Sequence, residues 1–155
     1  TRTSRNVVAR IEGTDRAEEI LTLTAHYDSV PEGPGAYDNM SGGAIIMELC
    51  RYFQVHRPRR TMEFVWFGAE EKGLLGSQSY IKVHETELPA HRFNMNVDLA
   101  GQLVGGTVVG VTGDASVCNM ITYMAHEIGI GMSTKNQIWG SDSNTFAWKG
   151  KEFLQ

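Results

Sequence analysis

The fold of this chain is decided by two neighbouring runs, Ala25-His26-Tyr27-Asp28-Ser29 (25–29) and Gly35-Ala36-Tyr37-Asp38-Asn39-Met40-Ser41-Gly42 (35–42). They begin where an apolar segment ends and finish where an amphipathic segment starts, which predicts a long loop between a strand and a helix. A loop of this length inside a compact domain is usually either functional or disordered. It contains one imidazole and two carboxylates, those of His26, Asp28 and Asp38, so we expect it to contribute to a functional site.

On both sides of this loop, β-rich and amphipathic segments alternate along the chain. The sequence predicts strands over residues 5–14, 19–25, 61–68, 93–97 and 107–111, and helices over residues 41–56, 77–85, 115–128 and 146–149. This alternation predicts a three-layer α/β domain with a largely parallel central sheet. The chain is long enough for one hydrophobic core and shows no linker or internal repeat, so residues 1–155 are expected to form a single domain.

The predicted helices carry their own start signals and apolar stripes. Ser41 is the expected N-cap of the first long helix, and Asp114 is the expected N-cap of the third. The buried stripe of the first helix is predicted to consist of Ile45, Ile46, Leu49, Cys50 and Phe53, and that of the third of Val117, Ile121, Met124, Ala125 and Ile128. Cys50 and Cys118 each lie among apolar neighbours, which indicates buried free thiols.

Composition and charge exclude some classes of function. The formal net charge is -4, so no basic surface favours binding to nucleic acid. No apolar run approaches the roughly 20 residues needed to cross a bilayer. The chain starts at Thr1 without a signal-peptide pattern, and we expect it to be a processed or excised product.

Ionisable side chains follow three different predicted strands at the point where each strand ends. These are His26, the pair Glu70-Glu71, and Asp98, and the loop adds Asp38. In open α/β sheets, ligands bind outside the carboxyl ends of the strands. Each residue alone is more simply explained as turn chemistry or a solvated helix start. Their joint placement predicts that one edge of the sheet gathers an imidazole and several carboxylates.

Imidazole and carboxylate ligands suit zinc and related divalent ions. Carboxylates gathered so closely would repel one another, and a pair of bound cations removes that cost. A two-metal site needs a bridging ligand and a terminal set on each ion. We expect Asp38 to bridge, His26 and Asp98 to complete one metal, and Glu71 to bind the second.

Two further acids have predicted roles beside the metals. Glu70 remains free to act as the general base for an attacking water. Asp28 stands two residues after His26. We expect the Asp28 carboxylate to accept a hydrogen bond from the imidazole and so to fix the tautomer of the ring.

These residues carry a resemblance to a known family. The runs at 26–29, 36–42, 67–77 (Phe67-Gly68-Ala69-Glu70-Glu71 through Gly76-Ser77) and 96–98 (Asn96-Val97-Asp98) resemble, in order and spacing, the motifs of the M28 family of zinc aminopeptidases. The resemblance implies a mixed-sheet α/β fold, two zinc ions and removal of N-terminal residues from peptides. By position it implies that His26 and Asp98 bind one zinc, Glu71 binds the other, Asp38 bridges and Glu70 is the base. It also implies a cis peptide bond after Asp38.

One departure from the family pattern concerns the second zinc. The family uses a further histidine near the C-terminus, beyond a turn like Lys149-Gly150, and no histidine follows His126 here. His126 lies in a predicted helix, and His56, His84 and His91 are in the wrong places. We therefore expect the domain to lack its C-terminal strand or strands and its last metal ligand, which questions the second metal and the activity of this chain.

Two alternative functions stay open. One is a glutaminyl cyclase-like acyltransferase, which shares the fold but uses a single zinc. The other is a non-catalytic scaffold or binding relative of the same fold. The expected partner is a peptide substrate. The resemblance slightly favours a secreted or cell-envelope location, whereas side-chain preference, the kind of exopeptidase and the oligomeric state do not follow from the sequence.

Overall fold

The computed structural model describes residues 3–102, 104–137 and 139–149, and the backbone of residues 153–154. Within these residues the strands are β1 (Val7–Ile11), β2 (Arg16–His26), β3 (Arg60–Phe67), β4 (His91–Asn96), β5 (Thr107–Thr112), β6 (Met132–Asn136) and β7 (Phe153–Leu154). The α-helices are α1 (Met40–Val55), α2 (Leu75–Val83), α3 (Ala115–Glu127) and α4 (Ser143–Ala147), and single 3₁₀ turns cover Glu70–Lys72 and Leu88–Ala90.

The strands form one mixed sheet in the order β1-β3-β2-β4-β7-β5-β6. β2 runs parallel to both β3 and β4, β4 is parallel to β7, and β5 is parallel to β6. β1 is antiparallel to β3, and β5 is antiparallel to β7. His26 pairs with Phe67, and Thr24 pairs with Asn96. The register therefore ends β2, β3 and β4 at one edge, as expected for a largely parallel sheet.

Helices cover both faces of the central strands. Neighbouring residues of β3 show this, because their side chains point to opposite faces of the sheet and pack against different helices. Phe64 belongs to a core cluster with Ile46 and Cys50 of α1. Val65 and Phe67 belong to a second cluster, which includes Tyr80 of α2 and Phe146 of α4. All of β2 from Thr22 to His26 is buried. The predicted three-layer α/β architecture is confirmed.

The start of α1 corrects a prediction. Asn39, and not Ser41, is the N-cap, and its side-chain oxygen accepts a hydrogen bond from the Gly42 amide at 3.0 Å. The Asn39 amide group also donates to Val97 O at 2.8 Å, and Asn39 is 1% exposed. The side chain of a buried cap that also faces another loop must accept one hydrogen bond and donate another. Asparagine has separate atoms for the two bonds on a longer side chain, whereas serine has one hydroxyl on a shorter one. The Asp38–Asn39 peptide bond is cis, as the resemblance implied.

The apolar stripes are narrower than predicted. In α1, Ile46 and Cys50 are buried, but Ile45 is 38% exposed. In α3, Ala125 is the only residue of the predicted stripe that is fully buried, and Ile128 is 70% exposed. This helix lies against β5 and β6 at the end of the sheet, so it has fewer neighbours to cover it than α1 has. Asp114 caps α3 as predicted, through a hydrogen bond from the Ser116 amide.

Several element boundaries also differ from the predictions. The second helix covers 75–83 because Leu74, in the left-handed region, ends the preceding turn. β4 starts at residue 91, and the last helix covers 143–147. β6 was not predicted, because its sequence, Met132-Ser133-Thr134-Lys135-Asn136, is mostly polar. Both cysteines are free, with Cys50 buried and Cys118 half-buried. In the described residues, no helix combines the length and the apolarity that a membrane span requires.

Candidate metal centre

The imidazole of His26 is the centre of the site. His26 is the last residue of β2 and is 2% exposed. Its Nε2 atom lies 3.1 Å from Asp38 Oδ1, in the loop before α1, and 3.5 Å from Asp98 Oδ1, beyond β4. The ends of two parallel strands and the long loop therefore meet at one ring nitrogen, as the sequence predicts.

The predicted acids form two overlapping groups around this ring. One consists of His26, Glu70 and Asp98, and the other of His26, Asp38 and Glu71. Within each group, one potential ligand atom from every residue lies within 4.8 Å of the others. The five residues predicted as base and ligands are thus brought together from four separate segments.

Asp28 takes a different place from the one predicted. Its backbone oxygen, at 3.1 Å from His26 Nδ1, is closer to the ring than its carboxylate Oδ1, at 3.6 Å. The carboxylate instead accepts hydrogen bonds from the amides of Glu70 and Glu71, at 3.0 and 3.3 Å. Free amides at the start of a helical turn attract a carboxylate, which explains the difference. The carbonyl still favours a proton on Nδ1, and this leaves Nε2 free to face the acids.

The Glu70–Lys72 turn is held in an unusual backbone shape. Ala69 before it and Leu74 after it both have positive φ angles, of 61° and 60°. Non-glycine residues adopt this left-handed region only where the surroundings hold them there, and such residues concentrate at functional sites. The two flanking residues and the Asp28 carboxylate together determine where the two glutamates point.

A chain of hydrogen bonds reaches Asp98 from the interior of the sheet. Asn94 Nδ2 donates to Thr24 Oγ1, which donates to Asn96 Oδ1, at 3.2 and 2.8 Å. Asn96 Nδ2 then donates to Ser141 Oγ at 2.8 Å, so the serine proton is directed to Asp98 Oδ2 at 2.6 Å. An amide nitrogen can only donate, so the direction of every step is determined. Asp98 Oδ1 is left to face His26.

A further buried acid, Asp142, lies near the centre. It is 0% exposed, and within the described part of the chain neither carboxylate oxygen has a hydrogen-bond partner. It occupies the N-cap position of α4 without capping the helix. Burial raises the pKa of Asp142 to about 6, against the lowering effects of the Ser77 side chain and the His26 charge, and the charges of Asp98 and Asp28 add to the increase. Ser141 and Asp142 are absent from the site predicted from sequence, because no spacing pattern distinguishes them from ordinary turn residues.

The site has more acids than cations, and the pKa values reflect this. Burial alone would lower the pKa of His26, but the Asp98 carboxylate and the charges of Glu70 and Asp142 raise it to about 9. Burial raises the pKa of Glu70 to about 7, against the lowering effect of the His26 charge. Burial also opposes ionisation of Asp98, but hydrogen bonds from His26 and Ser141 lower its pKa below the usual value.

These residues fit a divalent cation. Glu71 Oε1 is buried and accepts no hydrogen bond from any described residue, and buried Asp98 Oδ1 has only the long 3.5 Å contact with His26 Nε2. Within the same residues, His26 is the only cationic partner of Asp38 and Asp98. Buried acceptors without donors are costly unless an ion or water completes them. Imidazole nitrogen and carboxylate oxygen are suitable ligands for zinc.

Two cavities adjoin the centre on different sides. The larger, of about 500 Å³, is bordered by Asp98 and Ser141. The smaller, of about 280 Å³, is bordered by Asp38 and Glu71. Tyr37, next to Asp38 in the sequence, borders both. The centre is therefore accessible from two directions, and it has space beside it for parts of a substrate.

Another group of potential ligands lies towards the amino ends of the strands. Glu63, Glu87 and His91 have potential ligand atoms within 4.8 Å of one another. Arg10 forms ion pairs with both glutamates, at 3.3 and 2.6 Å, and the Tyr80 hydroxyl donates to Glu63. A protein cation therefore already balances these acids, and the group is a structural ion-pair network.

The sequence matches the family described as Peptidase family M28 over residues 6–151. Aminopeptidase YwaD of Bacillus subtilis (strain 168) is 44% identical over 84 residues, which cover 54% of this chain and 18% of that protein. The vacuolar membrane protease of Saccharomyces cerevisiae (strain YJM789) is 34% identical over 134 residues, which cover 86% of this chain and 13% of that protein.

A solved structure of BSAP, described as a zinc aminopeptidase from Bacillus subtilis, has a TM-score of 0.82 to this chain at 31% identity. The match covers 96% of this chain and 39% of the BSAP chain. This protein therefore belongs to peptidase family M28, which confirms the resemblance and the fold class. The chain spans less than half the length of each of these three relatives.

Proposed function

We propose that this protein is a zinc-dependent aminopeptidase that hydrolyses N-terminal residues from peptides. The observation that carries the proposal is the convergence of two ligand groups on His26, with Asp38 and Glu71 in one and Glu70 and Asp98 in the other. Relatives named as an aminopeptidase and a zinc aminopeptidase support this reaction and this metal.

In this proposal His26 and Asp98 would hold one zinc ion, Glu71 would hold a second, and Asp38 would be shared between them. The 3.1 Å and 3.5 Å distances from His26 Nε2 to Asp38 and Asp98 support the first set, since both carboxylates lie close to the same ring nitrogen. The grouping of Asp38 with Glu71 supports the second. Bound zinc would acidify a water molecule and polarise the scissile carbonyl.

Glu70 is the proposed general base. Its carboxylate takes the proton of the attacking water and returns it to the nitrogen of the leaving peptide. In metal-free protein, burial raises the pKa of Glu70 to about 7, which brings this carboxyl nearer to neutral pH than an ordinary glutamate. The backbone amides of Glu70 and Glu71 both donate hydrogen bonds to the Asp28 carboxylate. These bonds hold the backbone of the proposed base and that of the proposed ligand in fixed relative positions.

The ligand set of the second ion is less complete than that of the first. Asp38 and Glu71 are its ligands in the described residues, and no histidine follows His126 in the sequence. The family resemblance implies one further histidine for this set. A single-zinc acyltransferase would bind one ion only, so the number of ions separates it from the proposal.

The test is zinc content and hydrolysis measured on the same preparation. We expect close to two zinc ions per chain by elemental analysis, and release of p-nitroaniline from leucine p-nitroanilide that a chelator abolishes and zinc restores. About one ion without hydrolysis would contradict the two-metal aminopeptidase. Protein that binds no zinc would contradict the metal centre and favour the scaffold alternative.

A further inference from the structure

The loop that carries both glutamates of the centre is closed at its base. We call residues 68–76 the glutamate loop, because Glu70 and Glu71 lie in it. It begins at Gly68, directly after β3, and ends at Gly76 in the first turn of α2. The two ends are so close that an added Cβ on Gly76 would lie 2.3 Å from Gly68 O. The chain therefore leaves β3 and returns to almost the same point, as in a compact Ω-loop.

One side chain joins the two ends of this loop. Asn6, just before β1, accepts a hydrogen bond from the Gly68 amide at 3.2 Å and donates one to Gly76 O at 2.9 Å. An asparagine side chain has separate acceptor and donor groups, as a peptide unit has, so it can bond both ends at once. An ionised aspartate has a similar shape but only acceptors, and it would face the Gly76 carbonyl without a proton to donate. The contact is therefore specific for an amide.

Asn6 belongs to a short segment before β1 that lies against two parts of the site. The Tyr27 hydroxyl donates a hydrogen bond to Arg5 O at 2.6 Å, and Tyr27 directly follows His26. An added Cβ on Gly68 would lie 2.7 Å from Arg5 O and 3.0 Å from the Tyr27 hydroxyl oxygen. The segment thus contacts both the residue after a proposed ligand and the first residue of the glutamate loop, and these contacts fix the position from which Asn6 acts.

We propose that Asn6 is a positioning residue for the reaction, and that its two hydrogen bonds hold the glutamate loop in the shape that aims Glu70 at the attacking water. This inference rests on the proposed function, because it gives Glu70 the role of the base. Asp28 holds the amides inside the loop, at 3.0 and 3.3 Å, but it does not join the two ends. Ala69 and Leu74 have left-handed conformations inside the loop, and such conformations persist only where surrounding contacts hold them.

The first test is Asn6→Asp, which keeps the acceptor of the side chain and removes its donor. We expect kcat for leucine p-nitroanilide at saturating zinc to fall by about 10–100-fold, since misplacement of a reacting group by about 1 Å can cost about a hundredfold. KM should stay within about threefold, because a base acts in the chemical step and not in substrate binding. Asn136→Asp is the matched control. The Asn136 amide also donates to a loop carbonyl, Gly113 O at 3.4 Å, but it lies at the end of β6, and the variant should leave both constants unchanged.

A double-mutant cycle shows whether Asn6 acts through Glu70. In the Glu70→Gln background the base is already lost, so the addition of Asn6→Asp should lower kcat by less than about threefold more. A residue that only supports folding would lower kcat by the same factor in both backgrounds. Equal factors in the two backgrounds would therefore overturn the inference.

A second variant opens the loop without changing Asn6. Gly76→Ala would place a Cβ 2.3 Å from Gly68 O and 2.7 Å from Asn6 Oδ1, so the two ends must separate. We expect this variant to reproduce the fall in kcat. Gly131→Ala is its control, because a Cβ there would meet nothing within 4 Å. Thermal melts establish that each variant is folded at the assay temperature.

Hydrogen exchange separates failure of this inference from failure of the proposed function, because it needs neither turnover nor zinc. The amides of Glu70 and Glu71 are hydrogen-bonded to Asp28, so their exchange in metal-free protein reports opening of the loop. Asn6→Asp should speed the exchange of both amides by about tenfold or more relative to Asn136→Asp. Unchanged exchange of both amides would overturn the inference, whatever the effect on kcat. Faster exchange in a protein that hydrolyses no peptide would support the role of Asn6 in the loop and contradict the aminopeptidase.

Discussion

Replacement of Ser141 by alanine should weaken zinc binding, although Ser141 is not a proposed ligand. Its hydroxyl donates to Asp98 Oδ2 at 2.6 Å and accepts from Asn96 Nδ2 at 2.8 Å. Without the hydroxyl, the Asp98 carboxylate can rotate away from His26. Loss of a partner that orients a ligand typically costs tenfold to a hundredfold in metal affinity, and we expect an effect in the range of about 10–100-fold.

The same substitution should destabilise the metal-free fold. A hydrogen bond to a charged group contributes about 1.5–3 kcal/mol, and an orphaned buried donor costs about 1–3 kcal/mol. Asn96 is 3% exposed, so its amide is left buried without its side-chain acceptor. Because the two effects share one side chain, we expect the free energy of unfolding to fall by about 3 kcal/mol in total.

The assays are a zinc titration against a chromophoric chelator and urea unfolding of the chelated protein. Ser79→Ala is the control, since Ser79 is exposed on α2. Asn96→Ala separates the two effects, because it removes a buried amide but leaves the Ser141–Asp98 contact in place. It should lower stability while affecting zinc affinity less than Ser141→Ala does. Zinc affinity of Ser141→Ala within twofold of wild type would refute the reasoning.

Three further predictions concern the base, the ionisation of the site and the α1 cap. Glu70→Gln should lower kcat by about 10²–10⁴-fold and retain zinc, because it removes the proposed base without removing a ligand; near-normal turnover would contradict this role. In metal-free protein the pKa of His26 is about 9, against 6.5 in the unfolded chain, so its stabilising effect is complete below pH 6.5 and is lost as the pH rises through 9. The raised pKa values of Glu70 and Asp142, about 7 and 6, also make the fold less stable as the pH rises, but at lower pH. Thermal melts of chelated protein should therefore show stability that falls from pH 6.5 to 9, and the stabilisation by added zinc should grow over the same range. A constant or rising stability would contradict these pKa shifts. Asn39→Ala should lower the free energy of unfolding in urea by about 2–3 kcal/mol. Ser41→Ala, at the cap predicted from sequence, should lower it by about 0.5 kcal/mol. Equal effects of the two substitutions would argue against the observed cap.

Sequence periodicity was enough to predict the three layers and the edge where the site lies. β2 and β3 are apolar enough to be central, and central strands of an α/β sheet run parallel and end together. That geometry alone places His26, Glu70-Glu71 and Asp98 at one edge, since each lies at the end of a strand or within about three residues after it. The convergence of the proposed ligands can therefore be predicted from where these residues lie relative to the strands in the sequence.

Weak sequence patterns explain where the element predictions were wrong. β6 has no alternation of apolar and polar residues, and it exists because β5 supplies a partner strand. The α3 stripe was predicted by its spacing, but burial depends on what covers a helix, and α3 lies at the end of the sheet. Helix periodicity identifies an apolar face without showing how much of it the neighbouring elements bury.

By itself, the sequence determined the layer architecture, the edge that carries the site and the residue types that face it, because these depend on periodicity and on strand ends. Only the tertiary structure decided that Asn39 caps α1, that the Asp28 carboxylate holds the two glutamate amides, and that Ser141 directs Asp98. Those contacts join residues far apart in the chain, such as Ser141 and Asp98, through turns without any repeating pattern. Hydrogen bonds of this kind depend on distances of a few ångströms between loops, and only the packed sheet and helices set such distances.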